Sequence, residues 1–273
     1  MPGNAVSLRE RRLFYLVHEQ AHVSFELLNA GAQFAACFGF YTWAKPDFYV
    51  AACWIFFVTS INSIGLTLNS IVEVLRSQKD ASPDEHGVHE REIYMDTLYI
   101  IGGTIYAVGS ILFLPDVYKG SKEQEILSAG TSLFVAGSLF FALAVFTNAL
   151  TVSVHSIWFV LPFKSKLSLA TIACNGAGST LYAMGSVLFY PKLEDATCES
   201  GPAPENSWST LDLGTHYFVA GGSCFLAGAI LNWLLSLLKH FGADRHKETH
   251  ELIHPGKTRK NERAGTELQS SQI

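Results

Sequence analysis

Six apolar stretches, each long enough to cross a bilayer, limit what this chain can become. They cover about 23–43, 48–74, 94–114, 128–154, 167–190 and 211–238. Some 20 consecutive apolar residues span the hydrocarbon core as a helix. Charged residues make up 16% of the 273, against roughly 25% in soluble domains. They gather at the N-terminus, between Arg76 and Glu92, and after Lys239. The expected fold is therefore an all-α integral membrane protein with six transmembrane helices. The first stretch is long and closely followed by the second, so it reads as a span rather than a cleaved leader.

Orientation follows from Lys and Arg, which favour the cytoplasmic loops. One face would collect fifteen of them, from the N-terminus, the second and fourth loops and the tail. The other face would hold Lys45, Lys119, Lys122 and Lys192. Both termini are expected in the cytoplasm. A net charge of −5 and the lack of a basic stripe with interleaved aromatics argue against nucleic acid as a partner. The lipid bilayer is the partner the composition requires, with self-association or other membrane proteins as further candidates. Four of the five cysteines lie inside spans, and only Cys198 sits in an expected outer loop, so no disulfide framework is indicated.

The chain also repeats itself. GTIYAVGSILFLP at 103–115 returns as STLYAMGSVLFYP at 179–191. The next spans match as well, GTSLFVAGSLFF (130–141) facing GTHYFVAGGSCF (214–225), with Asn148 falling on Asn232. A more divergent copy lies at the front, where Gly39 fits Gly109 and Gly185 and YVAAC (49–53) resembles FVAGS (134–138). The reading is three helical-hairpin repeats. Their boundaries are a cytoplasmic N-terminus (1–22), hairpins at 23–76, 94–157 and 167–240, cytoplasmic loops at 77–93 and 158–166, and a tail (241–273) that has the polarity of a disordered segment.

Lipid tails give helices little hydrophobic reason to associate, so small residues that permit close backbone approach matter more. Gly103, Ala107 and Ser110 form one such stripe, and Ser179, Ala183 and Ser186 repeat it. Gly137 and Gly221 lie in heptad stripes of small residues. Gly103, Gly109, Gly137, Gly185 and Gly221 are the candidate packing positions, each expected to bring a helix against its hairpin partner. A span ending G-S-x-L-F, a short outer loop, and a second span beginning x-F-x-x-G-S resembles the YrhK-like domain. That domain is a small two-helix membrane unit of uncharacterised biochemical role. The resemblance covers 94–150 and 168–233, and 25–70 more loosely, with Phe40 and Cys53 departing from the pattern. It implies a fold and a membrane location, and no catalytic residues.

Candidate chemistry is sparse. HEQAH at 18–22 has the H-E-x-x-H spacing that puts two imidazoles on one helix face for zinc. His18, His22 and Glu26 would be its ligands, with a fourth position left for water. The plainer reading is a polar helix start near the headgroups. His246, His250 and His254 are spaced four apart in the tail, and His86 and His89 lie in the second cytoplasmic loop. Asn29, Asn148, Asn175 and Asn232 are polar residues inside spans, expected as hydrogen-bonding glue between helices or as a solute path. No phosphate-binding loop or catalytic triad appears, and no cofactor is required; zinc or another divalent ion at HEQAH is the exception. The expected role is a non-enzymatic scaffold, assembly or sensor module. The alternative is a transporter or channel for a small solute or metal ion, and the third reading a zinc-dependent enzyme. A polar pore lined by the asparagines would favour transport.

Overall fold

A computed structural model describes residues 8–78, 83–153, 163–191 and 209–253. Cys198 and His254 lie outside the described residues, as do the side chains of His86, His246 and His250. Six long helices run α1 Leu8–Cys37, α2 Pro46–Ser77, α3 Pro83–Leu112, α5 Glu123–Ser153, α6 Phe163–Leu188 and α7 Thr210–Ile253. A one-turn helix, α4 Pro115–Tyr118, sits between α3 and α5, and no strand occurs among the described residues.

Proline and glycine mark the turns between helices. Pro46 and Pro115 occupy first-turn positions of α2 and α4, where the missing N–H costs no hydrogen bond. Gly120 takes φ 150° in the turn leading to α5, a conformation that favours glycine. Helix α7 continues to Ile253, beyond the expected end of the last hairpin at 240.

Each long helix packs on its chain neighbours, and α7 returns to pack on α1. The result is a closed ring in the order α1, α2, α3, α5, α6, α7. Its outer surface is apolar, with Leu28, Trp54, Leu68, Val108, Phe146 and Ile230 all exposed. An exposed apolar belt on every face of a ring is uncommon in soluble proteins and suits a lipid solvent.

Among the described residues four helices are long and apolar enough to cross a membrane: α2, α3 from Gly87, α5 to Ala149 and α7 to Leu238. Helices α1 and α6 form over the other two expected spans but fall short of that criterion. The physical reason lies in their inward faces. Glu26, Asn29 and Gln33 of α1, and Thr171, Asn175 and Ser179 of α6, lower the apolar content and point into the ring rather than toward its surface.

Candidate functional site

The ring is filled at one end and hollow at the other. At the filled end the rings of Phe40, Phe56, Phe113, Phe134, Phe189 and Phe218 meet in edge-on and tilted pairs and one stacked pair, Phe189 on Phe218, with centroids 5.1–6.5 Å apart. Only a void of about 10 Å³ remains among them, about the smallest space that holds one water. This end is called the plug below.

Glycines let the plug close. A Cβ on Gly109 would sit 2.8 Å from the Phe134 ring and 3.4 Å from the Gly130 carbonyl; on Gly185 it would sit 2.9 Å from both Phe218 and the Gly214 carbonyl. One turn or two further along, Gly137 lies under the Tyr106 ring and beside the Gly102 carbonyl. A Cβ on Gly221 would sit 3.0 Å from the Gly178 carbonyl. Gly103 behaves differently from its expected hairpin role. It faces Ile64 of α2 at 3.1 Å, across a seam between hairpins. Ser110 and Ser186 are both buried and both donate to the carbonyl four residues back, of Tyr106 and Tyr182. Tyr106 shares a 2.6 Å hydrogen bond with Ser138, whereas Tyr182 meets Cys37 Sγ at 3.3 Å.

The hollow end holds a cavity of about 350 Å³ to which all six long helices contribute. Its size lies at the small end of ligand pockets. Helix α1 lines it with His22, Glu26, Asn29 and Gln33, and α2 with Ser60, Ser63, Thr67 and Ser70. Helix α3 adds Asp96, Tyr99 and Tyr106, and α6 adds Thr171, Asn175, Ser179 and Tyr182. Phe141 and Val145 come from α5, and Phe225, Gly228, Ala229 and Asn232 from α7. Helices rise 1.5 Å per residue, so sequence position gives depth. His22, Glu26, Asp96, Ser70, Thr171 and Asn232 stand at the mouth, where α1 and α3 begin and α2 ends. Phe56, Tyr106, Phe141, Tyr182 and Phe225 form the floor, against the plug.

Three of the four candidate asparagines meet at this cavity. Asn29 Nδ2 donates to the Thr59 carbonyl at 3.0 Å and to Ser63 Oγ at 2.9 Å, tying α1 to α2. Asn232 Nδ2 donates to Glu26 Oε2 at 3.1 Å. Asn175 packs directly against Gly228, which has no side chain to obstruct it. Asn148 is half-buried and does not line the cavity. The α1–α7 seam carries further polar bonds, from Trp233 Nε1 to Ser24 Oγ at 3.1 Å and from Ser236 Oγ to Gln20 Oε1 at 3.2 Å. At the plug end Thr42 donates its N–H and hydroxyl to the Asp212 carboxylate at 2.8–3.0 Å.

The expected zinc ligands are divided between two pairs. His18 Nδ1 lies 3.3 Å from Glu73 of α2, and His22 Nδ1 lies 3.7 Å from Glu26. Among the described residues no three His, Cys, Asp or Glu side chains are grouped to hold a metal ion. Sequence reasoning set Asp96 near the cytoplasmic end of a span, without a role in a site, and passed over the α2 stripe at Ser60, Ser63, Thr67 and Ser70. The stripe's spacing of three and four residues was the available signal, since it marks a polar face on an otherwise apolar span.

With this geometry in view, comparison with known proteins identifies one segment. Residues 91–150 match the family model described as YrhK-like protein. The matched stretch runs from the mouth end of α3 through α4 to α5. No curated protein and no solved structure matches the chain.

Proposed function

We propose that this chain is a six-span membrane protein that binds a small solute at the centre of its helix ring, as a carrier open to one face. The observation that carries this reading is the one-ended cavity lined by every long helix. A scaffold or assembly module would pack solidly and offer its small-residue stripes to partners. Here Gly109, Gly137, Gly185 and Gly221 are consumed inside the ring, and the polar residues surround open space. Polar and ionisable groups at membrane depth mark solute paths or binding sites. The inward polarity of α1 and α6 supports counting both as spans, because neither presents those groups to lipid. The recurrence of the glycine contacts supports the hairpin repeat. The basic residues at the mouth end support a cytoplasmic opening, with both termini on that side.

This reading requires no catalytic group, and HEQAH serves it as a polar stretch within α1 near the mouth. The test is reagent access to the cavity in the full-length protein held in lipid nanodiscs. Ala229→Cys places a thiol on the cavity wall, and Thr131→Cys places one in the plug, where Thr131 is fully buried. Methyl methanethiosulfonate should add one adduct to Ala229→Cys beyond the wild-type baseline, read by intact mass, and none to Thr131→Cys. An unlabelled Ala229→Cys would remove the solute-binding reading.

A further inference from the structure

Charge, unpaired acceptors and aromatic surface are arranged along the cavity in a definite order. The mouth carries two carboxylates, Glu26 and Asp96, and no lysine or arginine lines any part of the cavity. An anion is therefore disfavoured throughout. Glu26 has partial support, from the Asn232 amide at 3.1 Å and from His22 at 3.7 Å. Asp96 has a hydrogen bond from the Ser70 side chain, but its Oδ2 is buried with no hydrogen-bond partner, as is Nε2 of His22. A buried acceptor without a donor is costly, and a ligand that brings an N–H or a positive charge relieves it.

Deeper in, the character changes. The floor is made of ring faces and edges, with Tyr106 and Phe141 centroids 5.3 Å apart and Tyr182 and Phe225 5.2 Å apart. Aromatic faces attract cations and pack well on alkyl groups. A ligand matching this order carries positive charge at one end and hydrocarbon at the other. A divalent metal does not match it, because such ions draw several oxygen or nitrogen ligands onto one point, and among the described residues no three suitable side chains converge.

We infer that the cavity takes an organic ammonium ion, its charged end held between Glu26 and Asp96 and its alkyl body resting on the floor formed by Tyr106, Phe141, Tyr182 and Phe225. This inference rests on the solute-binding reading above and adds the ligand's chemical class. Glu26 supplies the counter-charge. Asp96 Oδ2 accepts an ammonium N–H. Glu26→Gln keeps the shape and the Asn232 contact and removes the charge.

The test uses Ala229→Cys in nanodiscs with n-butylammonium as the probe, and n-butanol and butyrate as controls of equal chain length. Butylammonium should slow methyl methanethiosulfonate labelling at millimolar concentration while neither control does. In the Glu26→Gln background the concentration needed should rise by about tenfold, as expected for loss of a charge-assisted contact. Labelling that proceeds equally fast with butylammonium would overturn the ammonium inference and leave the cavity reading standing. Equal protection by butanol would overturn it too, by showing that hydrocarbon alone is recognised. A thiol that never reacts would defeat both. Should Glu26→Gln not fold, Asp96→Asn makes the same comparison at the other carboxylate.

Discussion

The two ends of the ring use the same six helices for opposite purposes. At the plug, glycines draw backbones together and phenylalanines fill what is left. At the mouth, residues equally small, Gly228, Ala229, Ser60 and Ser63, border space that nothing fills. Small residues therefore do not by themselves predict contact. What decides is the partner across the seam: an aromatic ring faces Gly109, Gly137 and Gly185, while the amide of Asn175 faces Gly228.

The comparison breaks most severely at Gly137. Leucine there would drive its side chain into the Tyr106 ring and the Gly102 carbonyl. Overpacking of this kind costs about 1–3 kcal/mol or more, and Gly137→Leu should show the largest fall in melting temperature in detergent. Gly221→Leu should follow, since the Gly178 carbonyl and the Tyr182 amide nitrogen beside it are backbone and cannot swing away. Next comes Phe134→Ala. Phe134 is 4% exposed, and emptying a phenylalanine site in a packed core costs about 3–5 kcal/mol if the core cannot collapse and less if it can. Ring contacts from Tyr106, Phe113 and Phe218 leave room for such collapse, so a loss smaller than that of Gly137→Leu is expected.

Tyr106→Phe sharpens the contrast at the floor, where the cavity meets the plug. It deletes the 2.6 Å bond to Ser138 and should cost about 1 kcal/mol, measured by denaturant or thermal unfolding. The smallest effect belongs to glycines with open surroundings. A Cβ on Gly31 or Gly65 meets nothing within 4 Å. Gly31→Ala and Gly65→Ala should be neutral or stabilising by roughly 0.5–1 kcal/mol, the gain expected when alanine replaces glycine within a helix. If these variants lose as much stability as Gly137→Leu, the division between filled and hollow ends is wrong.

Much of the filled end could be read from the sequence, because its signals are local. Glycine at a fixed helical spacing, proline at a span's end and a stretch that recurs 76 residues later all lie within short windows. The hollow end was harder to read. Asn29, Asn175 and Asn232 stood out as polar residues in apolar spans, yet their meeting depends on α7 closing against α1. That contact joins residues more than 200 positions apart, as in the Glu26–Asn232 bond, and no short motif encodes it. Asp96 was placed near a span's end, and its buried Oδ2 depends on neighbours contributed by other helices. HEQAH and Glu26 had the spacing of a metal motif on one helix, but spacing alone could not show that His18 meets Glu73 of α2 while His22 meets Glu26.

The α1–α7 seam also has a consequence for synthesis. Ribosomes deliver membrane helices in order, so on the six-span reading proposed above α1 meets the lipid before α7 has been translated. During that interval Glu26 lacks Asn232, Ser24 lacks Trp233 and Gln20 lacks Ser236. A carboxylate costs about 2.5–3.5 kcal/mol at a helix centre on insertion scales, and less toward the mouth, where Glu26 stands. Helix α1 is thus expected to be held less firmly in the bilayer until α7, whose partner residues lie more than 200 positions further along the chain, packs against it.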